Sequence, residues 1–206
     1  MSVALFGIGA WRNHAWDFWY LNWNLVLAWI PLLLMLWLER VLRSHIWSDW
    51  RPLMVTLLYL VFLPNTFYMI TDVIHLQEAP RVDLIYDVVM FTMFIFTACV
   101  IGLVSVYMLH VELRKRLSPR FSWAFVLATL LITSFAIYIG RDLRWNTWDV
   151  FLNPASILFE VSDGFVHPGS HHELFSITMS FFVFITSMYA VAWCASRAAR
   201  QQKSLD

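Results

Sequence analysis

"PLMVTLLYLVFLPNTFYMITDVIH", running from Pro52 to His75, decides the fold class. Its first twenty residues, through Thr71, carry no charge. As a helix, a stretch of that length crosses the roughly 30 Å hydrocarbon core of a bilayer. The apolar residues form a continuous run instead of alternating, which argues against a barrel strand. Yet the run contains Pro64, followed by Asn65, Tyr68, Asp72 and His75.

The rest of the chain has the same character. Of its 206 residues 60% are hydrophobic and 14% charged, and the mean hydropathy is +0.64. A soluble domain carries about one charged residue in four. The composition therefore predicts an integral membrane protein of one helical domain. Five stretches have the length and apolarity of a span: Phe18–Leu38, Pro52–Thr71, Val88–Val111, Phe121–Gly140 and Leu174–Ala195. Cys99 and Cys194 lie inside apolar stretches and read as small hydrophobes, not as a disulfide or metal framework. The short run Val3–Trp11 lacks a basic start, so a cleaved signal peptide is not expected.

Basic residues set the expected orientation. Ten of the fourteen Lys and Arg fall after spans one, three and five: Arg40, Arg43, Arg51; Arg114, Lys115, Arg116, Arg120; Arg197, Arg200, Lys203. Basic connections stay in the cytoplasm. Five spans then put the N-terminus outside and the C-terminus inside. Trp11, Trp16, Trp19, Trp23, Trp145 and Trp148 mark the outer boundary, and Trp47, Trp50 and Trp193 the inner one. Both motif-rich connections, residues 72–87 and the loop 141–173, fall on the outer face.

Asn65, Tyr68, Asp72 and His75 are spaced 0, 3, 7 and 10. On an α-helix they form one stripe, within about 80° at 100° per residue. Phe67, Ile70, Val73 and Ile74 occupy the other side. Pro64 frees a carbonyl one turn earlier, near Leu60, and kinks the helix. An ionisable side chain at membrane depth costs on the order of 3 kcal/mol, so the stripe should face other helices or a wet cavity. Two readings stay open. In the structural one, Asn65 ties the kink and Asp72 accepts a bond from Arg141 or a helix end. In the chemical one, Asp72 and His75, at i and i+3, form a general acid/base or metal-binding pair.

"GRDLRWNTWDVFLNP" follows span four. If the helix continues, Arg141, Arg144, Trp145 and Trp148 fall on one side and could hold a phosphate group at the boundary, while Asp142 and Asp149 lie elsewhere on it. The same residues also suit ordinary interfacial anchors. Further on, "HPGSHHE" gathers His167, His171, His172 and Glu173 within seven residues. These are donors for a divalent metal, though without an established zinc spacing, and they equally suit a solvated loop.

"LPNTFYMITDVIHL", "GRDLRWNTWDV" and the His167-Pro168 pair resemble the hallmark segments of a bacterial integral membrane family known only as a domain of unknown function, number 1361. "WNLVLAWIPLLL", Trp23–Leu34, resembles its early span. The resemblance covers about residues 20–195. It implies a small polytopic protein of the bacterial inner membrane and carries over no activity, cofactor or catalytic residue.

Three functions are compatible with these residues. The first is a site at the outer face for an anionic or lipid-linked substrate. There Asp72 and His75 would act on it, while Asn65, Tyr68, Arg141, Asp142, Arg144, Trp145 and Asp149 would bind it. The second is a non-catalytic subunit or scaffold for a membrane protein partner. The third, a small transporter, is disfavoured because no inverted repeat or paired half-helices are visible. The expected partners are membrane lipids and not nucleic acid, because the basic residues form short clusters beside the spans.

Overall fold

The computed structural model describes residues 18–77, 84–142 and 172–202, with isolated positions at 2–3, 6–7, 152–153, 155–156 and 162. Among the described residues the chain is all-helical. Helix α1 spans Trp19–Val41, α2 Trp50–Phe62 and α3 Pro64–Tyr68. A 3-10 helix, Met69–Gln77, follows; then come α4, Leu84–Arg114, α5, Pro119–Asp142, and α6, His172–Gln202. Five segments are long and apolar enough to cross a membrane, the second being the composite Trp50–Ile74. The protein is thus a multi-pass membrane protein.

Helices α4 and α6, 31 residues each, are longer than the apolar stretches within them. At 1.5 Å per residue each is about 46 Å long, more than the hydrocarbon core needs. The surplus turns carry the charges, since backbone hydrogen bonding continues into the polar boundary regardless of side chain.

Internal contacts divide the chain into two compact units, Met1–Met108 and Leu109–Asp206. In the first, Leu21, Leu25 and Ala28 of α1, Met69 of the 3-10 helix, and Met90, Phe91, Phe94, Ala98 and Ile101 of α4 form one core. Phe18 closes its end, edge-on to Phe91 with ring centroids 5.2 Å apart. The opposite face of α1 exposes Trp19, Trp23, Val26, Trp29, Leu33 and Trp37 at three- to four-residue steps, a surface suited to lipid.

The second unit pairs α5 with α6. The buried stripe of α5 holds Ser122, Val126, Thr129, Leu130, Thr133, Ser134 and Ile137. Small and hydroxylated residues at this spacing let two membrane helices approach closely. Ser122 and Ser134 return their hydroxyls to the Ser118 and Leu130 carbonyls, at 3.0 and 2.8 Å. Such back-bonding satisfies the hydroxyls inside the helix itself.

Candidate functional site

Proline 64 breaks the second span, and the break explains the polar residues after it. Proline has no N–H to continue the helical ladder. Helix α2 stops at Phe62, and the Thr66 N–H turns to the Leu63 carbonyl, at 3.1 Å, instead of to Phe62. That frees the Phe62 carbonyl, and Asn65 Nδ2 donates to it at 3.0 Å. The carbonyl served is thus Phe62, where the sequence pointed to Leu60. Thr66 Oγ1 donates to Leu63 O and Thr71 Oγ1 to Tyr68 O, both at 2.8 Å. Short polar side chains thereby replace the missing ladder, as non-helical backbone in a membrane requires.

Beyond Tyr68 the span tightens into nine residues of 3-10 helix. Runs beyond three or four residues are uncommon and often mark hinges or functional segments. The change of period corrects the expected stripe. At three residues per turn Met69, Asp72 and position 75 share one edge, whereas Asn65 and Tyr68 belong to the separate α-helical turn. Met69 is fully buried and Asp72 only 4% exposed, whereas Asn65 and Tyr68 are half-buried. Val73 and Ile74, on the other side, are exposed. Phe67, expected opposite the stripe, is fully buried as well, because α3 turns Thr66 and Phe67 onto α4 at Gly102.

Asp72 accepts a hydrogen bond from Asn24 Nδ2 of α1, at 3.0 Å. Asn22, two residues earlier in α1, has a buried Oδ1 with no hydrogen-bond partner among the described residues. Asp87, in the first turn of α4, is also buried. It sits three and four residues before Met90 and Phe91 of the core, so helical spacing places it on their face. In the first unit Asn24 of α1 and Asp72 of the 3-10 helix therefore meet, and Asp87 is a second buried carboxylate, in α4. A carboxylate held by a carboxamide N–H in such surroundings can accept a proton or bind a donor-rich ligand.

Asn24 and Asp87 were not singled out in the sequence. The signal was present: Asn24 is a carboxamide inside an otherwise apolar span, as costly there as Asn65. Asp87 begins a span and reads as a boundary residue, and nothing local shows that it points inward.

Most of the other candidates lie outside the described residues or in the second unit. His75 lies in the 3-10 helix, and its side chain is outside the described residues. Arg141 lies in the last turn of α5, in the second unit, and is half-buried. Asp142 is the last residue of α5, and its side chain, with all of Arg144, Trp145 and Asp149, lies outside the described residues. So do His167, His171 and the side chain of His172, while Glu173 is exposed in the first turn of α6. Among the described residues no three His, Cys, Asp or Glu are placed to hold a metal ion.

A cluster that sequence reading missed lies in the second unit. His110 is fully buried, stacked on Trp193 with ring centroids 4.0 Å apart and met edge-on by Trp123 at 4.7 Å. Its Nδ1 lies 2.8 Å from the Tyr189 hydroxyl. Among the described residues its Nε2 has no partner. Nearby, Lys115 and Arg116 bind the Glu112 carboxylate, Arg116 at 2.7 Å.

No curated protein and no solved structure matches the chain. A family model described as "Protein of unknown function (DUF1361)" matches residues 23–188. That span takes in Asn24, the Pro64 break, Asp72, Asp87, His110 and Trp123, so the chain belongs to the DUF1361 family.

Proposed function

We propose that the protein binds or processes an anionic or lipid-linked substrate at the outer end of its second span, in a bacterial inner membrane. The observation that carries this reading is the 3.0 Å hydrogen bond from the half-buried Asn24 to the buried Asp72, on a nine-residue 3-10 segment. A carboxylate is expensive at that depth, and a purely packing role would be met by an apolar residue. Asp72 is the proposed proton acceptor, oriented by Asn24. The proposal keeps the sequence expectations that His75 assists it and that Arg141 and Arg144 supply positive charge for the substrate.

Asp72→Asn tests this. Asparagine keeps an acceptor for Asn24 and removes the acid. The expected outcome is a folded, membrane-inserted protein that no longer complements a deletion strain. Full complementation by Asp72→Asn at unchanged thermal stability in detergent would remove Asp72 from the site. Asn24→Leu, by contrast, should lower stability by about 1–2 kcal/mol, because Asp72 loses its donor.

A second reading, a non-catalytic subunit or scaffold, is favoured by the local bonds of Asn65, Thr66 and Thr71, which all serve carbonyls of their own segment. In that case Asp72→Asn and Asn24→Leu lose stability and cellular function in proportion. The proposed orientation has the N-terminus outside and the C-terminus in the cytoplasm. A reporter fused after Asp206 should therefore be active only in its cytoplasmic form, and activity only in the periplasm would reverse the assignment.

A further inference from the structure

Beside the connection between α1 and α2 lies a cleft of about 490 Å³, lined by both helices. This volume is in the range of small-molecule sites. Its walls are graded. Arg40, in the last turn of α1, and Arg51, in the first turn of α2, line the loop end. Met54 and Leu58 follow Arg51 at three- and four-residue steps, so on one face of α2 the cleft turns apolar one to two turns deeper. Trp37 and Trp50 line it with their rings largely exposed, as indoles at a membrane boundary are.

The charges of this hairpin end do not cancel at the cleft. Glu39 pairs with Arg43 at 3.5 Å, and Asp49 with His45 at 3.2 Å. Among the described residues neither Arg40 nor Arg51 has a carboxylate partner. The Arg51 guanidinium lies 5.5 Å from the Trp50 ring centroid, a cation–π arrangement that fixes it at the rim. Asp49, the N-cap of α2, makes no side-chain capping bond, so the first N–H groups of that helix add a positive end. Two unpaired guanidiniums over an apolar floor match one chemistry, a phosphate joined to an acyl chain.

We propose that this cleft binds an anionic phospholipid of the leaflet on the side of the basic connections. Arg40 and Arg51 grip its headgroup phosphate, and one acyl chain lies along Met54 and Leu58. The inference stands apart from the Asp72 site and does not depend on it.

The test uses the purified full chain in a neutral detergent. Native mass spectrometry reads retention of phosphatidylglycerol, of phosphatidylcholine with the same acyl chains, and competition by inorganic phosphate. Phosphatidylglycerol should be retained in preference to phosphatidylcholine. The double variant Arg40→Gln/Arg51→Gln should lose about tenfold or more of that affinity. Arg43→Gln, whose guanidinium is already taken by Glu39, should change it by less than about twofold. Equal retention of phosphatidylcholine, an unaffected double variant, or an equal loss in Arg43→Gln would overturn the site. Displacement of phosphatidylglycerol by inorganic phosphate at matched concentration would make it a free-anion site and end the lipid assignment. If the double variant is not monodisperse, the single variants carry the test: each should lose severalfold, and no loss in either overturns the proposal.

Discussion

Gly102→Val is expected to prevent the first unit from packing, with little folded protein recovered from the membrane. A Cβ at position 102 would lie 2.5 Å from Thr66 Oγ1, 2.8 Å from Phe67 Cζ and 2.9 Å from Thr66 Cβ. Both neighbours are fully buried, so neither can swing aside into lipid. Thr66 is also held by its bond to the Leu63 carbonyl, where the second span breaks. Even Gly102→Ala should cost about 1–3 kcal/mol, the usual range for overpacking, and valine more. Steric-trap or detergent thermal unfolding measures the loss. Thr66→Ala removes the hydroxyl nearest the new methyl and should restore part of the stability of Gly102→Ala, although alone it destabilises. A non-additive cycle of this kind is the signature of direct contact. Purely additive losses, or a Gly102→Val protein of unchanged stability, would show that α3 and α4 do not meet there.

Trp193→Ala is expected to have the second large effect, a loss of about 2–4 kcal/mol from the second unit. The ring stacks on His110, meets Trp123 edge-on at 5.6 Å and lies 5.8 Å from the Arg114 guanidinium. Removing it leaves a cavity beside Trp123 and Tyr189, and it opens the buried His110. In lipid the lost contacts are van der Waals and ring–ring terms, because apolar transfer contributes little between membrane helices. Tyr189→Phe separates the polar part from the packing part. It keeps the ring and removes the hydroxyl 2.8 Å from His110 Nδ1, so about 1 kcal/mol should be lost. His110→Leu paired with Tyr189→Phe should recover some of that loss, since no buried nitrogen is then left without a partner. If Trp193→Ala were as stable as the parent chain, the cluster would not hold α6 in place.

The membrane class, the number of spans and the disruption at Pro64 were legible from the chain alone, for one physical reason. Length, continuous apolarity and the missing proline N–H are local properties, and a bilayer turns them directly into helices. Asn65 could be assigned to the kink because its partner is three residues away. What lay beyond reach was the inward face of each helix. Along α1 the exposed Trp19, Trp23 and Trp37 and the buried Leu21, Leu25 and Leu38 are all apolar. Lipid accepts the same residues as a protein core, so the pattern that orients a soluble helix is erased. The stripe drawn through Asn65, Tyr68 and Asp72 assumed one α-helical period, and the shift to 3-10 geometry after Tyr68 re-aimed it. Asn24 meets Asp72 across 48 residues, Gly102 receives Thr66 across 36, and His110 meets Tyr189 across 79. Each of these pairings joins residues whose own neighbourhoods are unremarkable greasy helix. Tertiary packing alone chose them, because in a membrane a buried polar atom or a missing side chain identifies its partner only after the helices have met.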